Sequence, residues 1–188
     1  MNKTLPQQVI HHCPKCGAAG FLYRKDNSFV CKSCQFQLYI NASAAVAALI
    51  IDGEGRLLLT RRALEPRKGF LDLPGGFVDV METAENALLR EIQEELNLKV
   101  NKYAYFTSAP NEYIFGGLSV FTLDLAYICG VDSFDGIKAS DDVSDFIFMD
   151  LDDIPMEEIS SCSIKKIIGR YLDMVEQRAS VAGDDCNM

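Results

Sequence analysis

The sequence predicts an α/β sandwich with a mixed sheet, preceded by a small cysteine-containing module. Three observations support this: strand-like apolar segments surround an amphipathic helix, a second amphipathic helix follows them, and four cysteines precede the first strand. The predicted strands cover residues 44–51, 56–61, 100–108, 117–129 and 146–149. The predicted helices cover residues 83–96 and 163–178, where apolar side chains recur every three or four positions.

These elements divide the chain into three parts. Residues 1–41 form the cysteine module and its connector, residues 42–178 form one α/β domain, and residues 179–188 form a flexible tail with little apolar surface to bury. Within the domain, a turn at residues 52–55 leads from the first strand into a return strand, and residues 109–116 separate two later strands.

The composition is that of a globular protein whose main partner is not nucleic acid. The chain has 188 residues, of which 48% are hydrophobic and 24% charged, and its formal net charge is −9. This negative charge disfavours general binding to phosphate backbones. No basic leader with an apolar stretch opens the sequence, and the longest apolar run, residues 42–51, is too short to cross a bilayer. We therefore expect a cytoplasmic protein.

Four of the seven cysteines have the spacing of metal ligands. Cys13, Cys16, Cys31 and Cys34 form the pattern C-x2-C-x14-C-x2-C, in which each pair can place two thiolates on one ion. The segment between the pairs predicts a β-hairpin with its turn near Asn27. Two disulfides or a redox pair are the alternatives, and a cytoplasmic location disfavours disulfides. Because four protein ligands complete the coordination of Zn2+, the pattern predicts a structural zinc ribbon.

The helix predicted over residues 83–96 carries three glutamates on one flank. At 3.6 residues per turn, Glu91, Glu94 and Glu95 lie within roughly 100° of the helix circumference. Each like-charge pair costs an isolated helix roughly 0.2–0.5 kcal/mol unless a cation lies among the carboxylates. Hard oxygen ligands suit Mg2+ or Mn2+, which bridge carboxylates to substrate phosphates. A solvated helix face is the alternative explanation of such a charge cluster.

A longer motif surrounds these glutamates. Residues 76–98, which begin with Gly76 and include Glu82, read G-x5-E-x7-R-E-I-x-E-E-x-N-L. This motif resembles the Nudix box, G-x5-E-x7-R-E-U-x-E-E-x-G-U, where U is apolar. Asn97 replaces the last glycine, at which the helix ends with positive φ, and asparagine tolerates that conformation best after glycine. The resemblance covers residues 42–178 and implies the Nudix α/β/α sandwich with a mixed sheet.

The order of a zinc ribbon followed by the box is similar to that of the NADH pyrophosphatases, a Nudix branch. Tyr39 follows the final ribbon cysteine by five residues, as in the linkage of that branch. The branch also carries S-Q-P-W-P-F-P after the box, whereas residues 108–114 here read S-A-P-N-E-Y-I. Only the serine and the first proline match, so the preference for nicotinamide dinucleotides stays open.

The resemblance implies a metal-dependent pyrophosphatase. Its substrate would be a nucleoside diphosphate linked to another moiety, such as NADH, NAD+, ADP-ribose or a related dinucleotide. Mg2+ or Mn2+ would be held by Glu91, Glu94 and Glu95, with the backbone carbonyl of Gly76 as a further ligand. Arg90 would orient the box carboxylates, particularly Glu82, rather than contact phosphate.

Residues outside the box would complete the site. A later loop carboxylate often does so in the family, and Asp141, Asp142 and Asp145 are the candidates here. Counting back from residues 152–155, which resemble the closing segment of the family, favours Asp142. Solubilisation of the loop is the alternative role of these aspartates. The side chains expected to stack on a base are Phe77, Tyr113 and Phe115.

The alternative to an enzyme is a non-catalytic Nudix sensor of such a nucleotide. In that case the ribbon would serve as a contact module for nucleic acid or protein. The complete set of glutamates and the acidic charge favour the hydrolase. Its partner would be a small nucleotide, and the resemblance also implies a homodimer.

Overall fold

The computed structural model describes residues 2–184, with side chains as far as residue 180. The chain forms two compact units. The first unit comprises the residues up to Ser43 together with Glu112–Thr122, and the second unit comprises the remainder. The division at Ser43 falls close to the predicted one after residue 41.

The first unit contains a short helix and a three-stranded antiparallel sheet. Its elements are α1 (Pro6–Val9), β1 (Phe21–Tyr23), β2 (Ser28–Cys31) and β3 (Gln37–Tyr39). The turn between β1 and β2 includes Asn27 at a φ of 59°, where the sequence predicted the hairpin turn. We call this part of the chain the ribbon.

The second unit is built from six strands and two helices. Its elements are β4 (Ser43–Ile50), β5 (Leu57–Arg62), β6 (Leu71–Asp72), α2 (Ala84–Leu96), β7 (Val100–Phe115), β8 (Leu118–Val131), β9 (Val143–Met149) and α3 (Cys162–Asp184). One sheet has the order β4-β8-β7, and the other has the order β6-β5-β9. The distal ends of β7 and β8 belong to the first unit.

Two hydrophobic cores lie on opposite faces of these strands. Leu49 of β4 belongs to the core that contains Ile167 of α3, whereas the next residue, Ile50, belongs to the core that contains Ile92 of α2. Successive side chains of a strand point to opposite faces. The two helices therefore cover opposite faces, and the predicted α/β/α sandwich is confirmed. Within residues 2–184, no helix is long and apolar enough to cross a membrane.

Strand β7 is longer than predicted. The predicted strand ended at residue 108, but β7 continues to Phe115 and turns at Gly116 and Gly117, which both have positive φ. Proline cannot donate a hydrogen bond to a sheet and is tolerated at an edge. Pro110 is accommodated because β7 is the edge strand of its sheet.

Two further segments differ from the prediction in part. The chain turns at residues 52–55, but the strand that follows, β5, belongs to the other sheet. There β5 lies between β6 and β9. One isolated bridge, between Ile51 and Leu57, connects it to the preceding strand. Helix α3 extends to Asp184, into the predicted tail. The flexibility of residues 179–188 stays a prediction, and residues 185–188 lie outside the described part of the chain.

Helix α2 ends in the conformation that the sequence predicted. Its C-cap, Asn97, is left-handed, with φ 54° and ψ 32°. The Asn97 Nδ2 donates a hydrogen bond to Gly136 O at 3.1 Å, and its Oδ1 accepts one from Gln93 Nε2 at 2.9 Å.

Replacing Asn97 by alanine should lower the free energy of unfolding by about 1–2 kcal/mol, because alanine adopts the left-handed conformation at a cost of that size. Asn97→Gly is the control: it also loses the side-chain bonds but adopts this conformation freely, so its loss should be smaller. Urea unfolding followed by circular dichroism measures both variants. If both variants lost the same free energy of unfolding, the side-chain hydrogen bonds of Asn97, not its backbone conformation, would account for the destabilisation.

Candidate active site and zinc site

Two glycines hold the loop before α2 against the carboxylates of that helix. Gly75 has a φ of 140°, and its N–H donates to Glu95 Oε2 at 2.9 Å. A Cβ on Gly75 would collide with the carbonyl oxygen of Val46, and a Cβ on Gly76 would lie 2.6 Å from the Glu91 carboxylate. Gly75 is therefore required by its positive φ and by the Val46 backbone, whereas a side chain at position 76 would displace the Glu91 carboxylate.

Arg90 connects three of the carboxylates. Its Nε and Nη2 donate to the two oxygens of Glu82 at 3.0 and 2.9 Å, and its Nη1 donates to Glu91 at 2.8 Å and Glu94 at 3.1 Å. Nη2 also donates to the carbonyl of Phe77 at 3.0 Å. A guanidinium has five N–H donors, so these five bonds leave none for a phosphate.

The carboxylates differ in their electrostatics. Hydrogen bonds from Arg90 lower the pKa of Glu82 to about 2. Burial, together with the neighbouring Asp142 carboxylate, raises the pKa of Glu95 to about 9. Burial also raises the pKa of Glu91. A divalent cation at this flank would offset the cost of ionising Glu91 and Glu95.

The loop after β8 brings Asp142 to Glu95. The loop is attached to the end of α2, because Lys138 N–H donates to Leu96 O at 3.1 Å and Ser140 N–H donates to Glu95 O at 2.9 Å. The Asp142 and Glu95 side chains then line one small cavity. These loop bonds also satisfy carbonyl groups at the C-terminus of α2, which have no partner within the helix.

The same cavity is lined by Arg62 and Asp72, which were not identified from the sequence. Arg62 Nη1 donates to Asp72 Oδ2 at 3.3 Å, and Arg62 Nε donates to Pro66 O at 3.1 Å. Burial raises the pKa of Asp72, whose Oδ2 also accepts from Ser160 Oγ at 2.6 Å. The signal in the sequence was the polar ending T-R-R of an otherwise apolar strand shortly before the glycine-rich loop.

Other predicted residues lie around this cluster. Phe77 is 44% exposed and follows Gly76 in the loop. The predicted backbone ligand, Gly76 O, accepts a hydrogen bond from the N–H of Val46 at 2.8 Å, which leaves one of its two lone pairs. Asp141 and Asp145 are exposed. The roles of these residues toward metal or substrate stay predictions.

Tyr113 and Phe115, which were predicted to contact a base, lie on the part of β7 that belongs to the first unit. Their rings stack on each other, with centroids 6.4 Å apart and an interplanar angle of 13°. Their contact with substrate stays a prediction.

The four predicted cysteines of the ribbon converge on one point. Cys13 Sγ lies 3.8 Å from Cys34 Sγ, and Cys16 Sγ lies 3.7 Å from Cys31 Sγ. All four sulfur atoms lie within 4.8 Å of one another. Sulfurs bonded at about 2.3 Å to a tetrahedral Zn2+ are about 3.8 Å apart, whereas disulfide sulfurs are about 2.05 Å apart. The cluster therefore fits zinc, not disulfides.

Each pair of cysteines is held by a tight turn. Gly17 N–H donates to Cys13 O at 2.8 Å, and Gln35 N–H donates to Cys31 O at 3.1 Å. Gly17 and Gln35 have φ values of 72° and 58°. Hydrogen bonding from the backbone N–H of Cys34 lowers the pKa of Cys31 to about 6. This shift favours the thiolate, which is the form that binds metal.

Fold and site together define an α/β/α domain with a carboxylate cluster suited to a divalent cation, and a four-cysteine ribbon in the same chain. The NUDIX domain family model matches residues 42–167. The chain therefore belongs to the Nudix family. The prediction that it is a Nudix pyrophosphohydrolase is confirmed at the level of the family.

Individual relatives and structures agree with this assignment. The ADP-ribose pyrophosphatase of Methanocaldococcus jannaschii is 36% identical over 123 residues, which cover 64% of this chain and 69% of that protein. The NAD-capped RNA hydrolase NudC of Vibrio cholerae is 29% identical over 103 residues, which cover 55% of this chain but 38% of that protein. A NUDIX hydrolase from Nitrosomonas europaea shares the fold, with a TM-score of 0.64, 21% identity, and coverage of 87% of this chain and 91% of that chain.

Purified protein should contain about one zinc ion per chain, bound by the four cysteines. Serine at both Cys13 and Cys16 should abolish this zinc, because two remaining thiolates cannot complete the site. Cys162→Ser is the matched control, since Cys162 is exposed and outside the cluster. Elemental analysis by mass spectrometry measures the metal content. Unchanged zinc in the double variant would contradict the assignment.

Proposed function

We propose that this chain hydrolyses the diphosphate linkage of a nucleoside diphosphate joined to another moiety, with ADP-ribose or NADH/NAD+ as substrate. The observation that supports it most is the group of Glu91, Glu94 and Glu95 held beside the glycine-rich loop by hydrogen bonds from Arg90 and Gly75. The 36% identity to an ADP-ribose pyrophosphatase supports the same reaction. Its partner is thus a small nucleotide, and a homodimer is proposed on the family resemblance alone.

Glu91, Glu94, Glu95 and Asp142 would hold Mg2+ or Mn2+, because these ions prefer carboxylate oxygens. Such a cation neutralises the charge of the diphosphate and lowers the pKa of the attacking water. The protein orients the ligands beforehand, since Arg90 bonds to Glu91 and Glu94 and the loop N–H bonds to Glu95. Arg90 is therefore a positioning residue.

Arg62 is the arginine that we assign to the diphosphate. Asp72 and Pro66 O fix its Nη1 and Nε. Within the side chains described, Arg62 Nη2 has no hydrogen-bond partner, whereas every N–H of Arg90 is occupied. A guanidinium with free N–H groups can bind phosphate oxygens in a bidentate manner.

With Mg2+ or Mn2+, the purified protein should release nucleoside monophosphate from ADP-ribose or another member of a dinucleotide panel. Glu95→Gln should lower kcat by about 100-fold or more, because it removes a metal ligand. Glu176→Gln, an exposed change on α3, should leave kcat unaltered. Chromatography of the products measures turnover. Tight binding of ADP-ribose by the wild type without turnover would support the non-catalytic sensor instead.

Arg62→Lys should raise KM for the diphosphate substrate by about 10-fold, because lysine keeps the charge but loses the bidentate geometry. Arg178→Lys on α3 is the matched control, since Arg178 is exposed. Steady-state kinetics separates KM from kcat. Destabilisation alone would reduce the amount of active enzyme and leave KM constant, so an unchanged KM would refute the contact.

A further inference from the structure

The ribbon unit differs in charge from the rest of the chain. Residues 1–43 and 112–122 contain five basic side chains and two acidic ones, a net charge of +3, within a chain of net charge −9. The remaining residues therefore carry −12. The net charge of the whole chain is therefore negative although that of the ribbon unit is positive. The side chains concerned are Lys3, Lys15, Arg24, Lys25, Lys32, Asp26 and Glu112.

The ribbon sheet has one face in the ribbon core and a second face that is exposed at Leu22, Gln37 and Tyr39, with Ser28 buried among its neighbours. Phe21, Phe29 and Cys31 lie on the first face and are buried in the ribbon core. The pairing of Leu22 with Val30, and of Val30 with Gln37, places these three side chains in a row on the opposite face. We call this the outer face.

Tyr39 and Arg24 lie on the outer face as well. Ser28 pairs with Tyr39, and Arg24 N–H donates to Ser28 O at 2.7 Å, which continues the ladder by one row. Leu22 is 46% exposed and Tyr39 is 53% exposed. The outer face therefore has Arg24, Ser28 and Tyr39 in one row, where Ser28 Oγ donates to the Asp26 carboxylate at 2.7 Å, and Leu22, Val30 and Gln37 in the next row.

The other end of the outer face also carries a cation. Lys32 N–H donates to Gly20 O at 3.3 Å, and Lys32 Cδ lies 3.9 Å from the position of a Cβ on Gly20. The Lys32 and Arg24 rows lie four residues apart along the strands, a separation of about 14 Å. Arg24 and Tyr39 thus share the row at one end of the outer face, Lys32 lies at the other end, and Leu22, Val30 and Gln37 lie between them.

We propose that the outer face of the ribbon binds single-stranded nucleic acid. Bases would stack on Tyr39 and lie over Leu22 and Val30, and the phosphates would contact Arg24 and Lys32. Proteins bind single strands by this combination of stacking side chains and flanking cations, and a sheet of this kind accommodates roughly two or three bases. An acidic peptide could bind the cations but has no bases to stack on Tyr39.

The charge distribution would confine the nucleic acid to the ribbon. The acidic remainder of the chain repels a polyanion, whereas the ribbon attracts it. The net charge argues against nucleic acid as the main partner of the whole chain, and this inference concerns one face of one unit. It does not depend on the proposed hydrolysis, because the binding needs no diphosphate.

The test is fluorescence anisotropy of the full, zinc-loaded chain with labelled, uncapped RNA and DNA single strands and with a duplex of the same sequence. Arg24→Glu with Lys32→Glu should weaken single-strand binding by about 10-fold or more and reduce its salt dependence. Tyr39→Ser should weaken it by about 5-fold or more through lost stacking. Lys165→Glu with Lys166→Glu on α3 makes the same change of charge elsewhere and should have an effect of less than about 2-fold.

Several results would overturn the proposal. One is an equal loss of single-strand affinity in the ribbon variant (Arg24→Glu, Lys32→Glu) and in the α3 variant (Lys165→Glu, Lys166→Glu). The others are duplex binding as tight as single-strand binding, unchanged affinity in Tyr39→Ser, or preferential binding of a polyglutamate peptide. Zinc content measured for each variant verifies that the ribbon is intact. The double variant Arg24→Glu, Lys32→Glu should hydrolyse ADP-ribose at the wild-type rate. This control separates a failure of the nucleic-acid proposal from a failure of the proposed hydrolysis.

Discussion

The hydrogen bonds of the Arg90 guanidinium hold together a group of carboxylates that would otherwise repel one another. Glu82, Glu91 and Glu94 all bond to this one side chain. Its charge offsets only part of theirs, so the flank stays acidic enough to attract a divalent cation. Because all five N–H donors of Arg90 are used within the protein, Arg90 has none left for a phosphate, and the proposal assigns that contact to Arg62 at the neighbouring cavity.

The two hydrophobic cores give this flank its rigidity. Helix α2 is fixed by Leu88, Ile92 and Leu96, which are fully buried, while Glu91 and Glu94 lie at the edge of the same helix. A helix held in this way cannot rotate to separate its charges without exposing apolar surface, at about 25 cal/mol per Å2. The energy of the core therefore maintains an arrangement of charges that is unfavourable by itself.

The sequence was informative where the relevant residues are close together in the chain. The cysteine spacing, the helix with its glutamates and the left-handed residue at Asn97 all depend on local geometry. The position of Arg62 beside Glu95 and Asp142 and the continuation of β7 through Pro110 were missed, because each depends on tertiary contacts. Arg62 is oriented by Asp72, and Pro110 is tolerated because its strand lies at an edge. Asp142 was predicted by counting from a family motif, but the hydrogen bonds that bring its loop to α2 could not be inferred from the sequence.

The net charge of the whole chain likewise hides a difference between its two units. A total of −9 averages a basic ribbon unit and an acidic second unit. Screening limits the interaction of exposed charges to about 8 Å at physiological ionic strength, so a bound polyanion responds to the face that it touches and much less to the total. The proposed diphosphate site and the proposed single-strand surface therefore make opposite demands on charge. The first would need acidic side chains to attract its metal and the second would need basic ones to attract phosphates, and the chain carries these two sets in different units.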